Sequence, residues 1–328
     1  MFSQGFDIIC EIKEKNALRR AANCIGAAYA FIFVFSFLLQ IAMTVVIVIL
    51  GEKATKFISV YEDPVMSGLL QAVLSVLMFI PMFLIVTRLA RRTVSSVIEI
   101  KKPKKESFWY LVLIGVGVCQ IGEVLAALFH SVLAEIGLAP NMPQMEYGTS
   151  VSGVLMAILS IAVVPALVEE FAVRGVIMGL LKPFGQGFSI IVSAVVFGLM
   201  HGNLMQIPFA FFAGLALGFI TVKSGSIWPA VVVHFINNAI SVAVDYLQML
   251  TGAGVSNTVY SVFGIFLLLA GVFGTAALSQ KEKTLFSLES SNTKLSEKQK
   301  LTTFFSAPIV VIGLVMTAIE IIFVQVAY

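Results

Sequence analysis

The chain has 328 residues, 59% of them hydrophobic and only 12% charged, with a formal net charge of +3 and a mean hydropathy of +1.00. A water-soluble fold of this size would leave much of that apolar surface wet, so the composition excludes an ordinary soluble globular protein. The small positive charge gives no reason to expect a nucleic-acid partner, because the basic residues flank apolar blocks, where they meet an anionic membrane surface.

Those blocks run to about twenty residues, the length at which a helix crosses about 30 Å of hydrocarbon. In chain order they predict an all-α, polytopic transmembrane helix bundle of about nine spans, near 22–50, 67–87, 108–136, 150–180, 187–204, 207–222, 227–247, 258–279 and 303–327. The first block follows about twenty polar or mixed residues and runs too long for a cleaved leader, so it is expected to be a first span. The short pair at 187–222, interrupted at Pro208, reads either as two spans or as a tilted or re-entrant hairpin. Cys10, Cys24 and Cys119 form no CxxC pair and suggest neither a disulfide framework nor a thiolate metal site.

With nine spans, the long basic joints at 13–20, 88–105 and 281–300 fall on one side, together with Lys182 and Lys223. That side holds 18 of the 21 basic residues; Lys53 and Lys56 face the other and Arg174 lies within a span. The positive-inside rule then puts the N-terminus in the cytoplasm. The chain divides into N-terminal transmembrane helices of unassigned role at 1–149, a core at 150–247, and C-terminal transmembrane helices at 248–328 with a cytoplasmic basic loop at 280–301.

An ionisable side chain within hydrocarbon is costly unless it faces a partner, a wet cavity or the bundle interior, which makes each one a candidate site residue. In "PALVEEFAVRG", Glu170 and Arg174 are four apart and share a helix face, whereas Glu169 is turned about 100° away. In "VVFGLMHGN", Phe197 sits one turn before His201, and in "VVVHFINNAI" His234 sits one turn before Asn238, with Asn237 directed elsewhere. Counted from the polar joints, Glu169 and His201 lie about 20 Å along their helices and His234 about 10–15 Å along its own. A buried polar chamber in the cytoplasmic half or the middle of the bundle is expected.

A partly desolvated glutamate beside a second carboxylate is suited to take a proton from water. An imidazole can place that water or move its proton, and His234 with Asn238 could donate to the oxyanion formed on an attacked carbonyl. The same residues allow an alternative in which Glu169, His201 and His234 hold a divalent metal, although the chain contains no HExxH.

Together, "EEFAVR", "FGLMH" and "HFINN" resemble the CAAX-protease and bacteriocin-processing family of intramembrane endopeptidases, also called Abi or type II CAAX prenyl endopeptidase-like. The matching stretch covers about 150 to 245. The resemblance implies that Glu169 activates water with help from His201, that His234 and Asn238 stabilise the oxyanion, and that Glu170 and Arg174 support the site geometry, with Phe197 a packing residue. It implies a mechanism without a cofactor, with a zinc-dependent version as the alternative. The expected partners are membrane lipid and a membrane-anchored or lipidated protein or peptide substrate, and the expected location is a bacterial plasma membrane.

Two competing classes are a proton-coupled transporter relaying through Glu169 and a histidine, and a non-catalytic immunity or scaffold membrane protein. No internal repeat supports the transporter. His130 is expected to be structural, Glu123, Asp245 and Glu320 are isolated, and the glycines at 115, 117, 122, 214 and 218 are expected to permit close helix approach.

Overall fold

A computed structural model describes residues 2–51, 63–98, 100–103, 105–138, 147–289 and 291–327. Lys53, Lys56 and Lys104 of the charge tally, and residues 139–146 between the expected third and fourth spans, lie outside the described residues. The regular elements are helices: α1 (Phe2–Leu50), α2 (Pro64–Leu89), the single turn α3 (Val94–Val97), α4 (Lys105–Glu135), α5 (Val151–Phe184), α6 (Gln186–Leu199), α7 (Ile207–Ser224), α8 (Trp228–Thr251), α9 (Ala253–Lys281), α10 (Glu297–Phe305) and α11 (Pro308–Ala327). Several begin at local signals readable in the sequence. Asp63 caps α2 by accepting from the amides of Val65 and Met66, with Pro64 supplying the first helical φ. Ser150 caps α5, and Ser296 with Gln299 forms a capping box at α10.

Among the described residues seven helices are long and apolar enough to cross a membrane, or eight if α10 and α11, bent by 67° at their junction, count as one span. The expected count of about nine included a span at 187–204, where α6 has only 14 residues and covers about 21 Å. The burial pattern is that of an integral membrane protein. Phe266, Leu269, Val272 and Phe273 on α9 are more than 60% exposed, while Glu170 and Arg174 are 0% and 2% exposed. Apolar side chains facing outward and charges facing inward suit a hydrocarbon solvent.

Three apolar clusters organise the described residues. The largest gathers α1, α2, α5 and α6 with α10 and the start of α11, the second gathers α4, α7, α8 and α9, and a small third joins Tyr147 and Ala157 to Val242 of α8. The α4–α9 seam is close because a Cβ on Gly117 would lie 2.7 Å from the Gly271 Cα, so only glycine fits that crossing.

The polar start of α1 is held by the segment before α10. Glu14 accepts from the Thr293 hydroxyl at 2.6 Å and the Lys294 amide at 2.8 Å, and Gln299 donates to Glu11 at 2.6 Å. Lys300 is 2% exposed and donates to the Phe184 carbonyl at 2.8 Å, which ties α10 to the end of α5. One residue of the basic loop is thus a buried fastener of the C-terminal helices.

Candidate active site

The helix carrying the two glutamates is irregular where they sit. Wide π turns at Ile158–Val163 and Phe171–Ile177 flank the α-helical segment Val164–Glu170. Such insertions widen the backbone locally and are frequent at functional sites. Pro165 has no N–H to give the Ile161 carbonyl four residues earlier. The Asn238 amide of α8 donates to that carbonyl at 2.9 Å. The proline thus creates the acceptor that docks α8 against α5.

Glu170 is the hub of a buried network. Its Oε1 accepts from Arg174 Nη1 at 3.0 Å and from His234 Nδ1 at 2.9 Å. Arg174 Nη2 donates to the Gly214 carbonyl of α7 at 3.3 Å, and its guanidinium carbon lies 4.5 Å from the Phe197 ring centroid. One residue earlier, on the adjoining face, the Glu169 side chain is 21% exposed, and its Oε2 lies 3.9 Å from His234 Nε2. That separation is too long for a direct hydrogen bond and leaves Glu169 Oε2 free to engage a third group. The adjacent carboxylates thus occupy different surroundings: Glu170 is committed to protein partners, and Glu169 is partly exposed.

Hydrogen-bond chemistry fixes the Nδ1 hydrogen of each imidazole. A carbonyl oxygen only accepts, so His201 Nδ1, 2.9 Å from the Phe197 carbonyl, carries the hydrogen and Nε2 is left free. By the same argument Glu170 Oε1, which also accepts from Arg174, accepts the Nδ1 hydrogen bond of His234, and His234 Nε2 is the nitrogen presented to Glu169. The Phe197 ring stands edge-on between the imidazoles, 5.1 Å from His201 and 5.9 Å from His234. Expected as a packing residue, it touches three members of the site.

The structure therefore brings Glu169, Glu170, Arg174, Phe197, His201 and His234 into one cluster from α5, α6 and α8, with Asn238 one turn beyond His234. It records no hydrogen bond between His201 and Glu169 among the described residues. Asn237 faces a separate chamber between α4, α8 and α9. His130 belongs to the supporting frame, its Nε2 lying 2.7 Å from the Met205 carbonyl in the loop after α6. Sequence spacing missed the Gly214 carbonyl, for which there was no signal, and the Ile161 carbonyl, which Pro165 marks.

Among the described residues no three His, Cys, Asp or Glu side chains converge closely enough to hold a metal ion. Glu169, His201 and His234 in this arrangement do not form a three-ligand set.

Residues 151–240, which hold every member of this cluster, match the family described as Type II CAAX prenyl endopeptidase Rce1-like. The match is confined to this segment, which is less than half of the chain. Neither the curated proteins nor the solved structures yield a match to the chain.

Proposed function

We propose that the protein is an intramembrane endopeptidase that hydrolyses a peptide bond near the membrane, with Glu169 as the general base. The observation that carries this reading is the His234 imidazole held between two carboxylates, 2.9 Å from Glu170 and 3.9 Å from Glu169. Glu170 and Arg174 fix the imidazole, and the more accessible Glu169 takes a proton from a water positioned with the help of His201 Nε2. The resulting hydroxide attacks the scissile carbonyl carbon, and the electron pair of the C=O bond moves to oxygen. His234, as an imidazolium donating from Nε2, and Asn238 through its second amide hydrogen, stabilise that oxyanion. The tetrahedral species collapses as the C–N bond breaks, the leaving amine takes the proton held by Glu169, and a carboxylic acid and an amine are released. The chemistry is assigned to these side chains with no cofactor, and the N-terminus is placed in the cytoplasm by the charge asymmetry.

The test is turnover of a membrane-tethered peptide by purified protein. Glu169→Gln is expected to lower kcat by about 10²- to 10⁴-fold, the usual worth of a general base, with the thermal unfolding midpoint unchanged. Full cleavage by a folded E169Q protein would overturn the assignment. Activity lost on exhaustive chelation and restored by zinc would overturn the cofactor-free mechanism.

A further inference from the structure

A second polar chamber lies on another face of α8. Gln120 and Glu123 of α4, Asn237 and Ser241 of α8 and Tyr260 of α9 line a cavity of about 210 Å³. A cavity of about 150 Å³ can take up benzene, so this one has room for a ligand group. Gln120 and Glu123 are three apart on one face of α4. Gly264 permits the approach, since a Cβ there would lie 3.0 Å from Gln120 Nε2.

Among the described residues Glu123 is the only Asp, Glu, Lys, Arg or His in the lining. Among the described residues no Lys, Arg or His forms a salt bridge with it. An intramembrane carboxylate normally has a cationic or hydrogen-bonding partner, and here the protein leaves room for one from outside.

The chamber adjoins an apolar groove. Ile236, Ile240, Val244 and Tyr260 line both the chamber and a cavity of about 370 Å³ between α8 and α9. The groove runs from Phe235 to Leu247 along α8, about 18 Å, and exposes no polar surface. That length is about half the hydrocarbon thickness, the reach of one acyl chain.

We propose that this composite cavity binds a single-chain amphiphile with a protonated amine head, its ammonium against the Glu123 carboxylate and its hydrocarbon chain in the α8–α9 groove. The charge of the lining selects the head. An anionic head would oppose Glu123, and a neutral one would leave the carboxylate unneutralised. Gln120, Asn237, Ser241 and Tyr260 supply oxygens for the remaining ammonium hydrogens. The site is independent of the peptidase reading, because none of its lining residues belongs to the Glu169–His234 cluster.

The test is native mass spectrometry of the full chain released from a neutral detergent, with hexadecylamine, hexadecanol and butylamine as probes. One hexadecylamine per chain is expected, bound at least about tenfold more tightly than either other probe. Glu123→Gln should remove the preference of amine over alcohol, and Ala239→Phe, which fills the groove, should weaken both long-chain probes. Glu169→Gln should leave hexadecylamine binding unchanged. Equal uptake of alcohol and amine by the unaltered protein would overturn the carboxylate's part, leaving an ordinary lipid contact. Equal uptake of butylamine and hexadecylamine would overturn the groove's part, leaving a plain cation site. If E123Q does not fold, the comparison among the three probes on the unaltered protein still decides the proposal.

Discussion

The two polar regions that α8 borders use buried charge in opposite ways. In the cluster between α5, α6 and α8, Glu170 serves Arg174 and His234 with one oxygen, and Arg174 is further held by the Gly214 carbonyl and the Phe197 ring. In the chamber between α4, α8 and α9, the Glu123 carboxylate has no cationic partner among the described residues. A charge surrounded by protein partners holds a shape, and one facing an open cavity is available to something that arrives. The same contrast operates within the first region, between the neighbours Glu170 and Glu169.

Five substitutions break that comparison at successive points. The pair Glu169→Gln and Glu170→Ala should separate function from architecture. The first is expected to remove turnover from a folded protein, by up to about 5 kcal/mol of barrier. Glu170→Ala leaves the guanidinium of Arg174 buried without its carboxylate, and breaking such a pair costs about 3–5 kcal/mol. A fall in the unfolding midpoint in detergent checks it, and an E170A protein as stable as the parent would show that Glu170 is not the structural member of the pair.

A smaller effect is expected at Gly202, which follows His201 and has φ +60°. A Cβ there would lie 2.7 Å from a Glu320 carboxylate oxygen on α11. Gly202→Ala should cost about 1–2 kcal/mol from the left-handed backbone alone and disturb the His201 turn, seen as a lower midpoint together with reduced kcat. Gly202→Ala with Glu320→Ala should recover the steric part but not the backbone part. The smallest effect is expected at Lys294, whose ion pair with Asp7 is 3.1 Å long with both side chains more than half exposed. Lys294→Ala should change stability by less than about 1 kcal/mol, and by less still in high salt.

Much of the site was readable in one dimension because helical spacing is rigid. Glu170 with Arg174, Phe197 with His201, and His234 with Asn238 are each one turn apart, and the helix alone puts each pair on a shared face. The CAAX-protease resemblance could be read from the same three motifs, and the family match over 151–240 agrees. Depth was less legible. Counting residues from the polar joints put His234 nearer the cytoplasmic end than Glu169, yet the two side chains lie 3.9 Å apart, because helix tilt and the π turns of α5 are tertiary properties. The span count suffered similarly at α6, where a composition that suits a membrane crossing belongs to a helix of only 14 residues.

The sequence by itself determined the solvent and the chemistry. Long apolar blocks require helices in hydrocarbon, and a few charged residues at helical spacing name the groups that must find partners there. The tertiary structure decided which partner each one found. It gave Glu170 to Arg174 and His234, left Glu169 partly exposed, and opened a cavity in front of Glu123. Local geometry propagates for only a turn or two along the chain, whereas the meeting of α4, α5, α6, α8 and α9 depends on packing between residues separated by up to about 150 positions.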